Sequence, residues 1–256
     1  MLTLLSPAKS LDFESKLPFS IMGTDVLFKS KAEQINKKLR KLKSPDLMDL
    51  MHISEKLADL NLERNRTFDL DDETLEFRPA IYAFDGDVYK GLGAYEWTQQ
   101  EIADAQDRIL ILSGLYGLLR PLDLMLPYRL EMGTKLKIGR ADNLYAFWKA
   151  TLTDQINQQL TGSKTDVLLN LASKEYAKAV DFKQIKGQVV DIDFKELRNG
   201  NLKVISFNAK KARGTMTRLI VQEGISDVDG LKNLKPEGYT FSSALSDENK
   251  LLFVKK

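Results

Sequence analysis

The chain contains the apolar run Ile109-Leu110-Ile111-Leu112, which is followed directly by the turn residues Ser113-Gly114. A run of four apolar residues that is followed by a glycine turn predicts a buried strand. The chain then continues through residues 113–133, which are rich in glycine, proline and charged side chains. Loops that leave buried strands of α/β proteins are common ligand sites. Arg120 and Asp123 therefore either contact a ligand or pair only to fasten the loop, and the sequence leaves both interpretations open.

Composition excludes several kinds of site. The chain has 256 residues, a formal net charge of +2, no cysteine and one histidine, His52. Disulfides, thiolate metal sites and cysteine nucleophiles are therefore excluded, and so is a multi-histidine metal site. The N-terminus lacks a signal peptide, and no run is long enough to cross a membrane. We expect a cytoplasmic protein with one mixed-sheet α/β domain over residues 1–256, flanking helices, no resident metal or cofactor and no membrane partner.

Three more apolar runs predict buried strands, and each of them ends in polar residues. They are residues 2–5 before Ser6-Pro7-Ala8-Lys9, residues 79–84 before Asp85-Gly86-Asp87, and residues 166–171 before Ala172-Ser173-Lys174. Asp85 and Asp87 flank a glycine and could hold a hard cation, but two ligands alone do not make a metal site. Tyr128 to Glu131 alternates like a strand, which would place Arg129 and Glu131 on one face.

Residues 188–198 and 201–208 also alternate, and Asn199-Gly200 joins them. This dipeptide is the strongest short signal for a β-hairpin, so we expect a mixed sheet rather than a purely parallel one. The second arm leads into a helix that begins with the most concentrated basic patch in the chain. This patch consists of Lys210, Lys211 and Arg213.

Helices are predicted near residues 25–42, 44–51, 54–68, 98–107, 143–160 and 210–223. The join between the second and third, around 50–58, resembles a helix-hairpin-helix, which binds the DNA backbone through amides at a helix N-terminus. His52 and Ser54 occupy positions where that motif normally has glycines, and Lys56 follows them. A plain helical turn with Ser54 as N-cap is the alternative interpretation.

Several long motifs in the same order make the chain resemble the YaaA family of bacterial peroxide-stress response proteins. The motifs are Ser6-Pro7-Ala8-Lys9, Asp85-Gly86-Asp87-Val88-Tyr89, residues 113–133, Asn170-Leu171-Ala172-Ser173 and residues 205–214. The resemblance implies a single α/β domain with a basic cleft and a helix-hairpin-helix-like element. It also implies protection from hydrogen peroxide by keeping free intracellular iron low, and binding of double-stranded DNA. Carried onto this chain, the cleft cations are Lys9, Arg120, Arg129, Lys210, Lys211 and Arg213, with no catalytic residues to assign.

Two functions share this expected cleft. Non-specific DNA binding needs cations that neutralise phosphates, and nothing here predicts base recognition. An enzyme acting on a nucleotide, a nucleobase or another phosphorylated substrate needs carboxylates beside those cations. The informative carboxylates are Asp12, Asp85, Asp87, Asp123 and Glu131. Their convergence with the cations in one pocket would favour the enzyme, and their dispersal would favour DNA binding. A regulatory protein whose loops bind a partner is a third interpretation.

Overall fold

Twelve strands and ten helices form the computed structural model, which describes residues 1–256. The strands are β1 Leu2–Leu5, β2 Ser10–Leu11, β3 Arg78–Pro79, β4 Phe84–Asp85, β5 Ile109–Ser113, β6 Gly117–Leu119, β7 Leu124–Met125, β8 Val167–Asn170, β9 Gln188–Arg198, β10 Asn201–Lys203, β11 Thr240–Phe241 and β12 Lys250–Lys255. The helices are α1 Lys29–Leu39, α2 Ser44–Met51, α3 Glu55–Thr67, α4 Ala80–Ala83, α5 Asp87–Leu92, α6 Gln99–Gln106, α7 Leu144–Gly162, α8 Lys174–Ala177, α9 Ser206–Gln222 and α10 Val228–Leu231.

The main sheet is mixed, as the hairpin signal predicts. Its order is β11-β12-β9-β8-β1-β5-β6, and β10 pairs with β9 off this path. Adjacent strands from β12 to β5 are parallel, whereas β6, β10 and β11 pair antiparallel with their neighbours. Because β1 and β8 are parallel neighbours, their carboxyl ends meet at one edge of the sheet. The polar residues that follow these two strands are thereby brought together.

Helices cover the sheet so that β1 and β5 are buried along their whole length. Trp148 of α7 is fully buried and donates its indole N–H to the carbonyl oxygen of Gly114 at 3.0 Å. Gly117 has a φ of +72°, and a Cβ there would lie 2.5 Å from the Trp148 ring. Residue 117 must therefore be glycine for the loop after β5 to pack on α7. None of the helices has the length and apolar character needed to cross a membrane.

Side chains cap two of the predicted helices, and the predicted turn at Asn199-Gly200 is confirmed. The Thr98 hydroxyl accepts from the amide of Glu101 at 3.2 Å, and the Glu101 carboxylate accepts from the amide of Thr98 at 2.6 Å. Asn143 caps α7 by accepting from the amide of Ala146 at 2.9 Å. Asn199 and Gly200 have φ values of +50° and +75° between β9 and β10. Two consecutive left-handed residues are what a tight two-residue hairpin requires.

Two predicted strands are wrong. Within residues 79–84, Ala80–Ala83 forms the single-turn helix α4, all of which is buried. A buried turn of helix has the same uninterrupted apolar run as a buried strand, so periodicity cannot distinguish them. Tyr128 to Glu131 forms no strand, although Tyr128 and Leu130 are buried as the alternation predicts. The hairpin's second arm is also shorter than expected, since it ends at Lys203 and α9 begins at Ser206.

Candidate functional site

A cleft of about 700 Å³ lies where β1 and β8 end. The chain leaves β1 through Ser6 and leaves β8 toward Ser173, and these two serines tie the segments together. The Ser6 hydroxyl oxygen accepts from the Ser173 amide at 2.8 Å and lies 3.3 Å from the Ser173 hydroxyl oxygen. The carbonyl of Ser6 accepts from the Tyr89 hydroxyl at 3.1 Å. The cleft has the size and the position at the strand ends of a small-molecule site in an α/β protein.

Helix α9 reaches the cleft because it packs backbone to backbone against α5. A Cβ on Gly214 would lie only 1.7 Å from the carbonyl oxygen of Val88, and one on Gly91 only 2.1 Å from that of Lys211. Only glycine permits this approach at both positions. It places Lys210 and Arg213 of α9 in the same cleft as Asp87, the first residue of α5.

Charged side chains of both signs line the cleft. The cations are Lys9, Lys90, Lys174, Lys210 and Arg213, and the carboxylates are Asp85, Asp87, Glu131 and Glu175. Glu131 lies 2.8 Å from the ammonium of Lys9 and 3.5 Å from the guanidinium of Arg129. Glu175 accepts from the amide of Gly133 at 3.0 Å. The carboxylates of Asp85 and Asp87 make no ion pair, so they are free to contact a ligand.

A second depression of about 570 Å³ adjoins this cleft, which is the first depression, and Lys174 and Arg213 line both. Two of its other lysines are paired, Lys149 with Asp181 at 3.5 Å and Lys250 with Asp193 at 3.2 Å. Lys174 is exposed and makes no ion pair. Lys174 therefore contributes a positive charge to both depressions without a carboxylate partner.

Arg213 is the most confined of these cations. Its Nε is buried without a hydrogen-bond acceptor. Burial lowers the pKa of the Arg213 guanidinium, and the charge of nearby Asp193 opposes that shift. Burial also raises the pKa of the Tyr176 hydroxyl, which lines the same cleft and stays protonated. The cleft can thus supply an arginine, several lysines and a phenol to an anionic ligand.

Comparison with known proteins identifies the family. The family model described as peroxide stress protein YaaA matches residues 1–245. The chain belongs to the YaaA peroxide stress protein family. It is 48% identical over 255 residues to a UPF0246 protein of Flavobacterium johnsoniae, with both chains covered completely. A UPF0246 protein of Saccharophagus degradans is 45% identical over 256 residues with the same coverage, and one of Tolumonas auensis is 49% identical over 253 residues, covering 99% of this chain and 97% of the relative.

Six of the residues that the sequence singled out come together in this YaaA-family cleft. They are Lys9, Lys210, Arg213, Asp85, Asp87 and Glu131. Arg129 contacts the cleft only through Glu131, and Lys211 points to Glu237 at 3.0 Å without lining the cleft. Lys90, Lys174 and Glu175 were not singled out, although all three lie in the polar segments that follow predicted strands.

Arg120 and Asp123 fasten their loop and line neither depression. The Asp123 side chain is fully buried, and its two oxygens accept from the Arg120 amide at 2.8 Å and from the Arg120 Nε at 2.9 Å. The Thr24 hydroxyl donates to the same carboxylate at 2.7 Å. Burial raises the pKa of Asp123, and the bonds from Arg120 and Thr24 oppose the shift. The structure thus favours the fastening interpretation of this pair.

Asp12 also lies outside the cleft. Its carboxylate accepts from the amides of Glu14 and Ser15 at 3.0 and 2.9 Å and from the Tyr95 hydroxyl at 3.0 Å. Burial tends to raise its pKa, but these hydrogen bonds prevail and lower the pKa of Asp12 to about 2. Asp12 is therefore a loop-ordering carboxylate rather than a group facing the cleft.

The α2–α3 join is a short turn through His52, Ile53 and Ser54. His52 ends α2 with a φ of +52°, the left-handed conformation that favours glycine. Ser54 is the N-cap residue of α3 but makes no capping hydrogen bond with its side chain. His52, Ser54 and Lys56 are all exposed, and none lines the cleft.

Proposed function

We propose that this chain is a cytoplasmic peroxide-stress protein that binds double-stranded DNA non-specifically and helps to limit free intracellular iron. The observation that carries the DNA proposal is the set of exposed lysines without carboxylate partners around the two adjoining depressions. These are Lys90, Lys174, Lys178 and Lys210, and the last three are substituted in the test below. Membership of the peroxide stress family supports the role in stress.

Lysines of this kind recognise charge rather than sequence. Each phosphate contact releases condensed counterions, so affinity falls as salt rises. Flexible ammonium groups contact phosphates and do not by themselves distinguish base pairs. The α2–α3 turn would add a second contact, since the amides at the N-terminus of α3 can bind a phosphate. DNA bound in this way would be held with little sequence preference.

The decisive measurement is the fluorescence anisotropy of a labelled duplex across a salt series. The test variant is the triple substitution Lys174→Gln, Lys178→Gln and Lys210→Gln. The matched control removes the same charge from α1 and the residues after it with Lys37→Gln, Lys38→Gln and Lys41→Gln, all exposed and outside both depressions. We expect the slope of log K against log salt to shrink by about 2–3 in the test variant only. Equal slopes in both variants, or no binding by the native protein, would contradict the proposal.

The iron role is tested in cells under hydrogen peroxide. If DNA binding at the cleft carries that role, cells with the cleft triple variant should hold as much free iron as cells without the protein. Whole-cell electron paramagnetic resonance of chelated iron measures this quantity. Cells with the α1 control variant should match the native level. If cells with the cleft variant kept free iron as low as cells with the native protein, the role in iron limitation would not depend on this surface.

A second candidate function rests on a different observation. Asp85 and Asp87 lie in the same cleft as Lys210 and Arg213, and their carboxylates have no protein partner. Carboxylates beside cations can transfer protons while the cations stabilise developing negative charge. This arrangement supports an enzyme that acts on a nucleotide, a nucleobase or another phosphorylated substrate.

This candidate predicts a product that depends on the two aspartates. Native protein is incubated with nucleotides and with duplex DNA, and mass spectrometry looks for released base, sugar or phosphate. We expect the double variant Asp85→Asn, Asp87→Asn to lose turnover while keeping duplex affinity. Turnover that survives this substitution, or no turnover by the native protein on any of these substrates, would rule out this catalytic role.

A further inference from the structure

Arg213 differs from the other unpaired cations of the cleft because it is partly buried. Its Nε is buried without an acceptor, and its guanidinium takes part in no ion pair, although Arg213 lines both depressions. A buried polar group without a partner destabilises the fold, more so when it carries charge. The terminal N–H groups of Arg213 make no hydrogen bond within the protein and are not among its buried atoms, so an anion that enters the cleft could bind them and neutralise the guanidinium.

Lys174 belongs to the same wall and complements Arg213. It also lines both depressions, but it is exposed and unpaired. An arginine fork and a mobile ammonium group on one wall match a phosphate, which has several acceptor oxygens and up to two charges. The same cleft is also lined by Asp85 and Asp87, which can only accept hydrogen bonds when ionised. The cleft therefore combines cations that can bind an anion with carboxylates that can accept hydrogen bonds.

We infer that Arg213 and Lys174 bind the phosphate group of a single nucleotide, whose nucleoside part lies beside Asp85 and Asp87. The N–H and O–H groups of a base and a sugar are the donors that the two aspartates need. The cleft of about 700 Å³, which contains all four residues, is large enough to hold a nucleotide. This inference rests on the proposed function, since it places a nucleotide in the cleft that also contacts DNA.

The proposal assigns different phosphates to the duplex and to the nucleotide. The duplex backbone would contact the exposed ends of Lys174 and Lys210, whereas Arg213 is partly buried, with its Nε shielded from solvent. Only a free nucleotide, or one nucleotide extruded from a mispaired duplex, is small enough to enter the cleft. The contact to Arg213 is thus separate from the sequence-independent contacts of the outer lysines.

Isothermal titration calorimetry tests the inference with the common ribo- and deoxyribonucleoside 5′-monophosphates, the matching nucleosides and inorganic phosphate. Two variants remove one cation each, Arg213→Gln and Lys174→Gln. Because Lys174 is exposed, Lys174→Gln should fold normally, and it tests the site even if Arg213→Gln does not fold. Lys38→Gln on α1 is the matched charge control. We expect at least one monophosphate to bind more tightly than its nucleoside. Each cleft variant should weaken that binding roughly 10- to 100-fold, and the control should not.

Two outcomes overturn the inference. One is that every monophosphate binds the native protein with a dissociation constant above about 10 mM. The other is that Lys174→Gln and a folded Arg213→Gln both bind monophosphates like the native protein. Duplex anisotropy on the same samples keeps the proposed function distinct. Duplex binding without nucleotide binding refutes only the inference, and nucleotide binding without duplex binding refutes only the DNA proposal while supporting the nucleotide site.

The same variants identify the source of the nucleotide. If the nucleotide is extruded from DNA, native protein should prefer a duplex with a central mismatch, and Arg213→Gln should abolish that preference. If it is free, matched and mismatched duplexes should bind alike while monophosphate binding still depends on Arg213. Either result supports the phosphate contact. A mismatch preference that persists in Arg213→Gln, together with monophosphate binding that this substitution does not weaken, contradicts it.

Discussion

Arg120 and Arg213 occupy two strand-associated segments of the same molecule, yet only one of them is free to bind a ligand. Arg120 follows the antiparallel strand β6, and its guanidinium pairs with the Asp123 carboxylate and donates to the carbonyl of Asp25. Arg213 lies on α9 near the strand ends, and its Nε has no acceptor. The difference shows that proximity to a strand end does not define a site. What defines it is whether the protein itself satisfies the charge.

The two arginines should respond in opposite ways to the loss of local interactions. Asp123 is completely buried, and removing it leaves the Arg120 guanidinium, the Arg120 amide and the Thr24 hydroxyl without their acceptor. Arg213 has no comparable partner to lose. Stability measurements can therefore distinguish the roles of the two arginines without any knowledge of the ligand.

The largest effect is expected from Asp123→Ala, which should lower the free energy of unfolding by roughly 3–5 kcal/mol because it breaks a buried, hydrogen-bonded charge pair. Arg213→Gln should change it by less than about 1 kcal/mol, since it removes an uncompensated buried charge. Urea denaturation followed by circular dichroism measures both values. A loss from Arg213→Gln as large as that from Asp123→Ala would mean that Arg213 is a structural residue rather than a ligand-binding one.

A smaller loss of stability is expected from a substitution at the contact between α5 and α9, which places Arg213 in the cleft. Gly214→Ala puts a Cβ against the carbonyl of Val88, where only 1.7 Å is available, so α9 must move away from α5. Overpacking of this kind typically costs about 1–3 kcal/mol. Gly162→Ala is the matched control, because no atom lies within 4 Å of a Cβ there.

The same variant also tests the cleft geometry. Because α9 is displaced in Gly214→Ala, this variant should bind nucleoside monophosphates more weakly than the native protein. The two proteins are compared under conditions where both are fully folded, so that the loss of stability does not account for the difference. Unchanged stability and binding would show that the close approach of α5 and α9 does not position Arg213.

Much of the sheet was predictable because its central strands are short apolar runs. β1, β5 and β8 follow from local sequence, and so does the turn at Asn199-Gly200, whose two left-handed residues leave few alternatives. The order of the strands was not predictable, because the adjacency of β1 and β8 is a long-range pairing. The helix at Ala80–Ala83 was missed because a single buried turn has no amphipathic period.

The site was predictable only as a set of segments. Ser6–Lys9, Asp85–Asp87 and 172–176 were recognisable from their position after apolar runs, and all three reach the cleft. Sequence could not separate Arg213, with its unsatisfied Nε, from Arg120, whose partner is three residues away, because pairing depends on burial and on side-chain geometry. Lys174 lay in a recognised segment but was not assigned to the site, because the sequence does not show which lysines remain unpaired.

The smallest effect on stability is expected from Asp12, whose carboxylate accepts hydrogen bonds from the protein itself, as that of Asp123 does. Its pKa is lowered from 3.8 to about 2, because hydrogen bonds from Ser15, Glu14 and Tyr95 outweigh partial burial. As pH falls from about 4 to about 2, the unfolded chain takes up the proton first. The stability that Asp12 contributes is therefore present above this window and is lost as pH falls through it.

Asp12→Asn should accordingly be less stable than the native protein near pH 5, and the difference should shrink toward zero near pH 2. Thermal unfolding at a series of pH values measures this convergence, and the effect is expected to be small because Asp12 is only partly buried. Tyr95→Phe should show part of the same trend, since it removes one donor to the carboxylate. A difference that stays constant with pH would mean that the hydrogen bonds around Asp12 stabilise its protonated and ionised forms equally. Asp12 would then no longer belong with Asp123 among the carboxylates whose charge the fold itself satisfies.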